Sequence, residues 1–319
     1  VIQTNANNFS ITASQLHNTN AAAIKHAGAG QLEFNAPDFT NSASITSNNE
    51  LAINADTIDN REATIAAQQI RIAGHSLDNS GGTIDADRLR VELSGDLTNS
   101  LGTTNGMVGL ITALGIDADD LWLDVAGHLA NAGVIQTRAE SAYIAAGQLT
   151  NSNAINHVGI GVLRLDVLAD LINRNIVESS GQISLTAGDV INNGGVIASV
   201  DTLDINTQNT FNNNQGTLDS SAAINLQANN FTNTGGYVVS AGSDNITWTV
   251  INSLNNTGGI IETNAQNILF TTGELINQNG RITHAGNGVL RINADDAINN
   301  QNGLLESVAR VALDSAAIN

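Results

Sequence analysis

Ser80-Gly-Gly-Thr-Ile84-Asp-Ala86-Asp-Arg-Leu89-Arg-Val91-Glu-Leu93-Ser-Gly-Asp-Leu97-Thr-Asn99 is the stretch on which the fold turns. Apolar and polar residues alternate in two short runs, 84–86 and 89–93, and a period of two means strands with one buried face. The Gly-Gly pair and the asparagine mark the turns, because glycine supplies positive φ and asparagine tolerates it. Three short strands in about 20 residues, with no helical period between them, describe one coil of a parallel β-helix. Each strand then pairs with its equivalent about 4.8 Å along the axis.

The closing phrase, an apolar residue two places before an asparagine, recurs along the whole chain. It ends at Asn18, Asn41, Asn60, Asn79, Asn99, Asn131, Asn151, Asn173, Asn192, Asn213, Asn233, Asn256, Asn277 and Asn300. Neighbouring anchors lie 19 to 23 residues apart, except for a step of 32 between Leu97 and Leu129. The expectation is an all-β fold, a right-handed parallel β-helix (solenoid) of about 14–15 coils of 19–23 residues with one turn insertion. A left-handed hexapeptide helix would need a strict six-residue repeat, which is absent. Residues 1–319 read as a single β-helix segment, since stacked units form one quasi-linear body. The anchor asparagines read as a hydrogen-bonded ladder rather than a sugar-binding row, because a binding site does not need fourteen copies.

Net charge is −19 over 319 residues, and Lys25 is the only lysine. Such a surface repels phosphates, which argues against nucleic acid and against an anionic membrane surface. There is no cysteine and therefore no disulfide framework. No signal-peptide pattern appears, and the longest apolar run, 107–116, is about half the roughly 18 residues of a membrane span. Val1-Ile-Gln-Thr4 repeats Val134-Ile-Gln-Thr137, and residues 313–319 stop inside another anchor. Solenoids carry polar caps, so the sequence reads as a segment excised from a longer array.

Two phrases carry a resemblance. Leu-x-Asn-x-Gly-Gly-x-Ile occurs at 77–84 and 254–261 and, with valine first, at 190–197. Ile-x-His-x-Gly-x-Gly-x-Leu occurs at 24–32, 155–163 and 282–290. From about residue 9 onward the chain resembles the haemagglutinin-type repeats of filamentous-haemagglutinin-like exoproteins of Gram-negative bacteria. The resemblance implies two-partner secretion through an outer-membrane transporter and display at the bacterial cell surface. It also implies one of two roles, adhesin or stick of a contact-dependent growth inhibition effector.

Chemistry is sparse. His26, His157 and His284 are six coils apart by anchor count, far beyond the ~2 Å reach of ligands sharing one ion. Their glycine-rich coils read as wider turns. No glycine-rich phosphate loop, Ser-His-Asp order or calcium nonapeptide is present, so no cofactor and no catalytic residues are expected. A polysaccharide-cleaving enzyme is the remote alternative, since some β-helices cleave glycans with clustered carboxylates.

The long step is the irregular place. Ile116-Asp-Ala118-Asp-Asp-Leu121-Trp-Leu123-Asp-Val125 aligns with 84–93, which assigns all extra residues to an insertion loop at 100–115. Leu101, Met107, Leu110 and Leu114 make that loop unusually apolar. Either it recognises a receptor or glycan on a target cell, or it folds back as a short helical turn over the flank. Arg71, Arg90 and Trp122 share one outward position, and Arg164 follows two coils later, so Arg90 is expected to stack on Trp122. The same alignment levels Asp85 with Asp117, Asp87 with Asp119 and Arg88 with Asp120, a solvated acidic patch or a speculative Ca²⁺ site. Trp248 aligns with inward Leu185 and reads as core. The primary expectation is a structural filament segment that projects a distal module. The alternative is an adhesin segment acting through the 100–115 loop and its neighbouring face.

Overall fold

The computed structural model describes residues 1–19, 22–104 and 106–319. Asn105, inside the expected insertion loop, lies outside the described residues. The chain divides into two compact units, Val1–Asp166 and Val167–Asn319. Both are parallel β-solenoids, with about 15 turns between them, and no helix occurs among the described residues.

In each unit a coil presents three faces. In the coil quoted above, strand Thr83–Leu93 supplies face A (83–86) and, past a corner at 87–88, face B (89–93). Strand Leu97–Asn99 supplies face C. In regular coils a tight turn, as from Asn79 to Gly82, then returns the chain to face A one level on. Pairing is parallel and in register: Ile84 lies beside Ile65, Leu89 beside Ile70, and Leu97 beside Leu77. The alternating residues that point inward form columns. Ile45, Ile65, Ile84, Ile111 and Ile135 stack on face A, and all are fully buried. In the second unit Phe211, Phe231, Trp248 and Phe270 fill the bore, with ring centroids 4.6–5.4 Å apart. Trp248 is core, and its Nε1–H donates to the Ile224 carbonyl at 2.8 Å.

The anchor asparagines are bonded to one another, and all but half-buried Asn300 are buried. Each Nδ2 donates to the Oδ1 of the next, from Asn18 to Asn41 at 2.7 Å through Asn131 to Asn151 at 2.8 Å in the first unit. In the second unit the series runs from Asn173 to Asn192 at 2.8 Å through Asn277 to Asn300 at 2.7 Å. The second amide hydrogen goes to backbone carbonyls, as from Asn79 to Gly82 at 3.2 Å. The two glycines of the turn have different physical reasons. Gly81 has φ +65°, a left-handed conformation that costs a side-chain-bearing residue about 1 kcal/mol. Gly82 is required by space, since a Cβ there would overlap the Asn60 carbonyl of the preceding coil.

The register corrects the reading of the insertion. Ile84 pairs with Ile111, not Ile116, through a strand Leu110–Ala113 that also pairs with 134–137. Leu89 still pairs with Leu121 and Arg90 with Trp122. The extra residues are therefore split between a longer turn before Leu110 and a longer corner after Ala113. Ile111 and Ala113 are fully buried, whereas Ile116 is exposed. The turn folds back, but as a small hairpin rather than a helical turn. Leu101 and Val108 form an antiparallel bridge, and Gly102 N donates to the Met107 carbonyl at 2.7 Å. Thr104 N reaches the Glu62 carboxylate, and Ser100 Oγ donates to Ser80 Oγ at 2.7 Å. The corner is closed by Asp120, which is buried and accepts from Arg88 Nε at 2.8 Å and from Asp117 N at 2.9 Å.

Candidate binding face

The expected site residues fall into two groups on different faces. On face B the register stacks Arg71, Arg90, Trp122 and Tyr143 on successive coils. The Arg90 guanidinium lies 4.9 Å from the Trp122 ring centroid, and the rings of Trp122 and Tyr143 are 4.2 Å apart. Arg164 closes the column over Tyr143 at 5.8 Å. Tyr143 is the member that sequence reasoning missed. Its signal was available, because Ala142-Tyr-Ile144 repeats the alternation of Leu121-Trp-Leu123 one coil later.

An acidic column runs alongside. Glu92 accepts from Arg90 at 2.9 Å and from Arg71 at 3.2 Å, and Asp166 accepts from Arg164 at 2.7 Å. The hydrogen bond from Arg90 holds the Glu92 carboxyl below its ordinary range, and the same bond raises Arg90. Burial, followed by the charges of Asp166 and Asp124, pushes the Tyr143 phenol up. Each ring face of Trp122 is occupied, one by a guanidinium and the other by a ring, and Tyr143 is likewise sandwiched. In this column the two aromatic rings lie between two guanidinium groups. Its guanidinium groups are already paired with carboxylates. The column therefore works as an exposed zipper between coils.

The second group surrounds the insertion. Leu101 and Met107 lie exposed on the hairpin, Leu110 is half-buried on face A, and Leu114 is exposed where the corner begins. Face A and the 114–120 corner separate the hairpin from the arginine–aromatic column, so the structure does not gather the expected residues into one pocket.

The acidic reading changes with the register. Asp85 lies beside Thr112, whose Oγ1 donates to it, and not beside Asp117. Asp87 is followed on the next coil by Gly115, whose N donates to its carbonyl at 2.8 Å, and not by Asp119. Asp119 sits at φ +59° in the corner. Among the described residues no group of three or more acidic or imidazole side chains is placed to hold a metal ion.

The three phrase histidines are buried in the bore, at positions that serine or threonine occupies on adjoining coils. His26 Nε2–H donates to the Ala6 carbonyl at 2.9 Å, His157 Nε2–H to that of Ala139 at 3.0 Å, and His284 Nε2–H to that of Ala265 at 2.7 Å. Gly28, Gly159 and Gly286 are needed there because a Cβ would overlap the same carbonyl oxygens. The phrase thus encodes a buried imidazole and the space for its acceptor.

A model of the haemagglutinin repeat matches residues 27–100, 110–153, 158–214 and 285–319, well over half of the chain. The chain belongs to the haemagglutinin repeat family. It is a filamentous-haemagglutinin-like segment. Residues 101–109 fall between two matched stretches, outside the haemagglutinin repeat pattern. No curated protein and no solved structure matches the chain.

Proposed function

We propose that the chain is a structural filament segment of a secreted bacterial surface exoprotein, exported through an outer-membrane two-partner-secretion transporter. It spaces a distal adhesive or toxic module from the cell and performs no catalysis. One observation carries the reading. The side chains that recur from coil to coil, the asparagines and the apolar columns, are turned inward and bonded or packed against their own equivalents. Repetition therefore maintains the stack and presents nothing repeated to a ligand, so what it produces is length. A net charge of −19 keeps a long exposed surface soluble and repels nucleic acid and anionic lipid. Among the described residues no helix is long and apolar enough to cross a membrane.

A second reading is favoured by the exposed hairpin, namely an adhesin segment recognising a target-cell receptor or glycan through 100–115 and the adjoining face. Binding of the labelled full chain to intact bacterial and host cells separates the two, beside a version lacking 101–108. That deletion spares strand Leu110–Ala113, which is part of the sheet. The spacer reading expects no saturable binding by either folded protein. Saturable binding lost with the hairpin would overturn it in favour of the second reading.

A further inference from the structure

Apart from Val1 and Ile2, every exposed large apolar side chain among the described residues of the first unit lies between 101 and 160. These side chains sit on the hairpin and on the corner between faces A and B. Ile160 is 81% exposed, Ile116 69%, Met107 61% and Leu101 56%. On the face between hairpin and corner, outward Leu110 and Val134 pair on adjacent coils, and beside them outward Thr112 pairs with Gln136. At the corner, Glu140 N donates to the Asp117 carbonyl and Gly161 N to the Glu140 carbonyl, so Ile116 and Ile160 flank one charged rung. Isolated surface leucines need no explanation, but exposed apolar side chains gathered on one hairpin and one corner form a strip that marks an interaction surface.

The margin identifies the occupant. Asp87, Asp117, Asp119 and Glu140 stand exposed around the corner against Arg88 and Arg138. Arg88 is already engaged by Asp120 at 2.8 Å and Asp117 at 3.9 Å. A second copy of this acidic chain would bring like charge against like across the strip, which disfavours self-association. We infer that the strip formed by Leu101, Met107, Val108, Leu114, Ile116 and Ile160 docks a protein partner whose contact surface has an apolar centre and a basic margin. This rests on the second reading above and specifies its partner. The central contacts are apolar and give affinity, while the acidic rim steers approach and selects sign.

Fluorescence titration of the full chain with three labelled strand-forming peptides tests the assignment. They alternate Leu with Lys, Leu with Glu, and Ser with Lys. The Leu-Lys peptide is expected to bind at least about tenfold more tightly than the other two. An Ile116→Ser/Ile160→Ser protein should lose about that factor with unchanged melting, since both side chains are exposed. Equal binding of the Ser-Lys peptide would reduce the effect to net charge and overturn the proposal. Leu-Lys binding insensitive to the double substitution would do the same, as would a dimer in sedimentation that the substitution dissolves. Cell binding lost on removal of 101–108, together with either peptide failure, would leave the second reading standing and this partner chemistry refuted.

Discussion

Asn213 shows what one anchor side chain does. Its Oδ1 accepts from Asn192 Nδ2 at 2.7 Å, and its Nδ2 donates to Asn233 Oδ1 at 2.7 Å and to the Gly216 carbonyl at 3.2 Å. Every polar atom is satisfied, so removing a donor leaves buried acceptors stranded. Asn213→Asp should cost about 3 kcal/mol or more, because it also buries a charge, and Asn213→Ala should cost less. Urea midpoints of the two variants check this order. His157 gives the pH dependence at the same scale. Burial pushes its pKa below the ordinary 6.5, outweighing its backbone hydrogen bonds. The unfolded chain thus binds the proton first on acidification, and stability falls as pH drops below 6.5 toward the depressed folded value. His157→Thr, matching its neighbour Thr137, should flatten that fall, read as the urea midpoint between about pH 7 and pH 5. An unchanged slope would remove His157 as its source.

At the scale of elements, turns and zippers are separable from the core. Gln215 occupies the left-handed position that Gly81 and Gly194 take in equivalent turns, with φ +58°. Gln215→Gly should stabilise by about 0.5–1 kcal/mol, the relief of strain less the added chain entropy of glycine. The face B column is exposed, and Arg90→Ala should cost no more than about 1 kcal/mol despite its contacts with Glu92 and Trp122. A thermal melt distinguishes that small loss from the large one expected of an inward neighbour. The hairpin is likewise separable. Removing 101–108 should preserve the circular dichroism of the parent, whereas removing 101–112 takes out Ile111, which is fully buried, and should not.

For the whole molecule the relevant fact is locality. Strand partners within a unit lie one coil apart, from 19–23 residues in regular coils to 32 at the insertion, so damage propagates through neighbours. Leu89 is fully buried between Ile70 and Leu121. Leu89→Asp places an unpaired charge there, and amide hydrogen exchange should accelerate in the coils around residue 89. The strands from 224 to 315 should keep their protection. Loss of protection throughout would mean the stack behaves as one cooperative body rather than a chain of nearest-neighbour units.

Much was legible along the chain because a solenoid makes its contacts at a fixed sequence interval. Alternation assigned Leu89 inward and Arg90 outward, and the anchor period placed Asn79 over Asn99, since side-chain direction and repeat length are local properties. What the sequence left open was the register across the insertion. Leu110-Ile-Thr-Ala113 and Gly115-Ile-Asp-Ala118 both resemble Thr83-Ile-Asp-Ala86, and alignment favoured the second. Tertiary packing selected the first, burying Ile111 and Ala113 while Asp120 closes the corner onto Arg88. That choice separated the aspartates, exposed Ile116 and turned the presumed helical turn into a hairpin. The histidines differ in the same way, since whether an imidazole fills the bore or a turn depends on an acceptor one coil away.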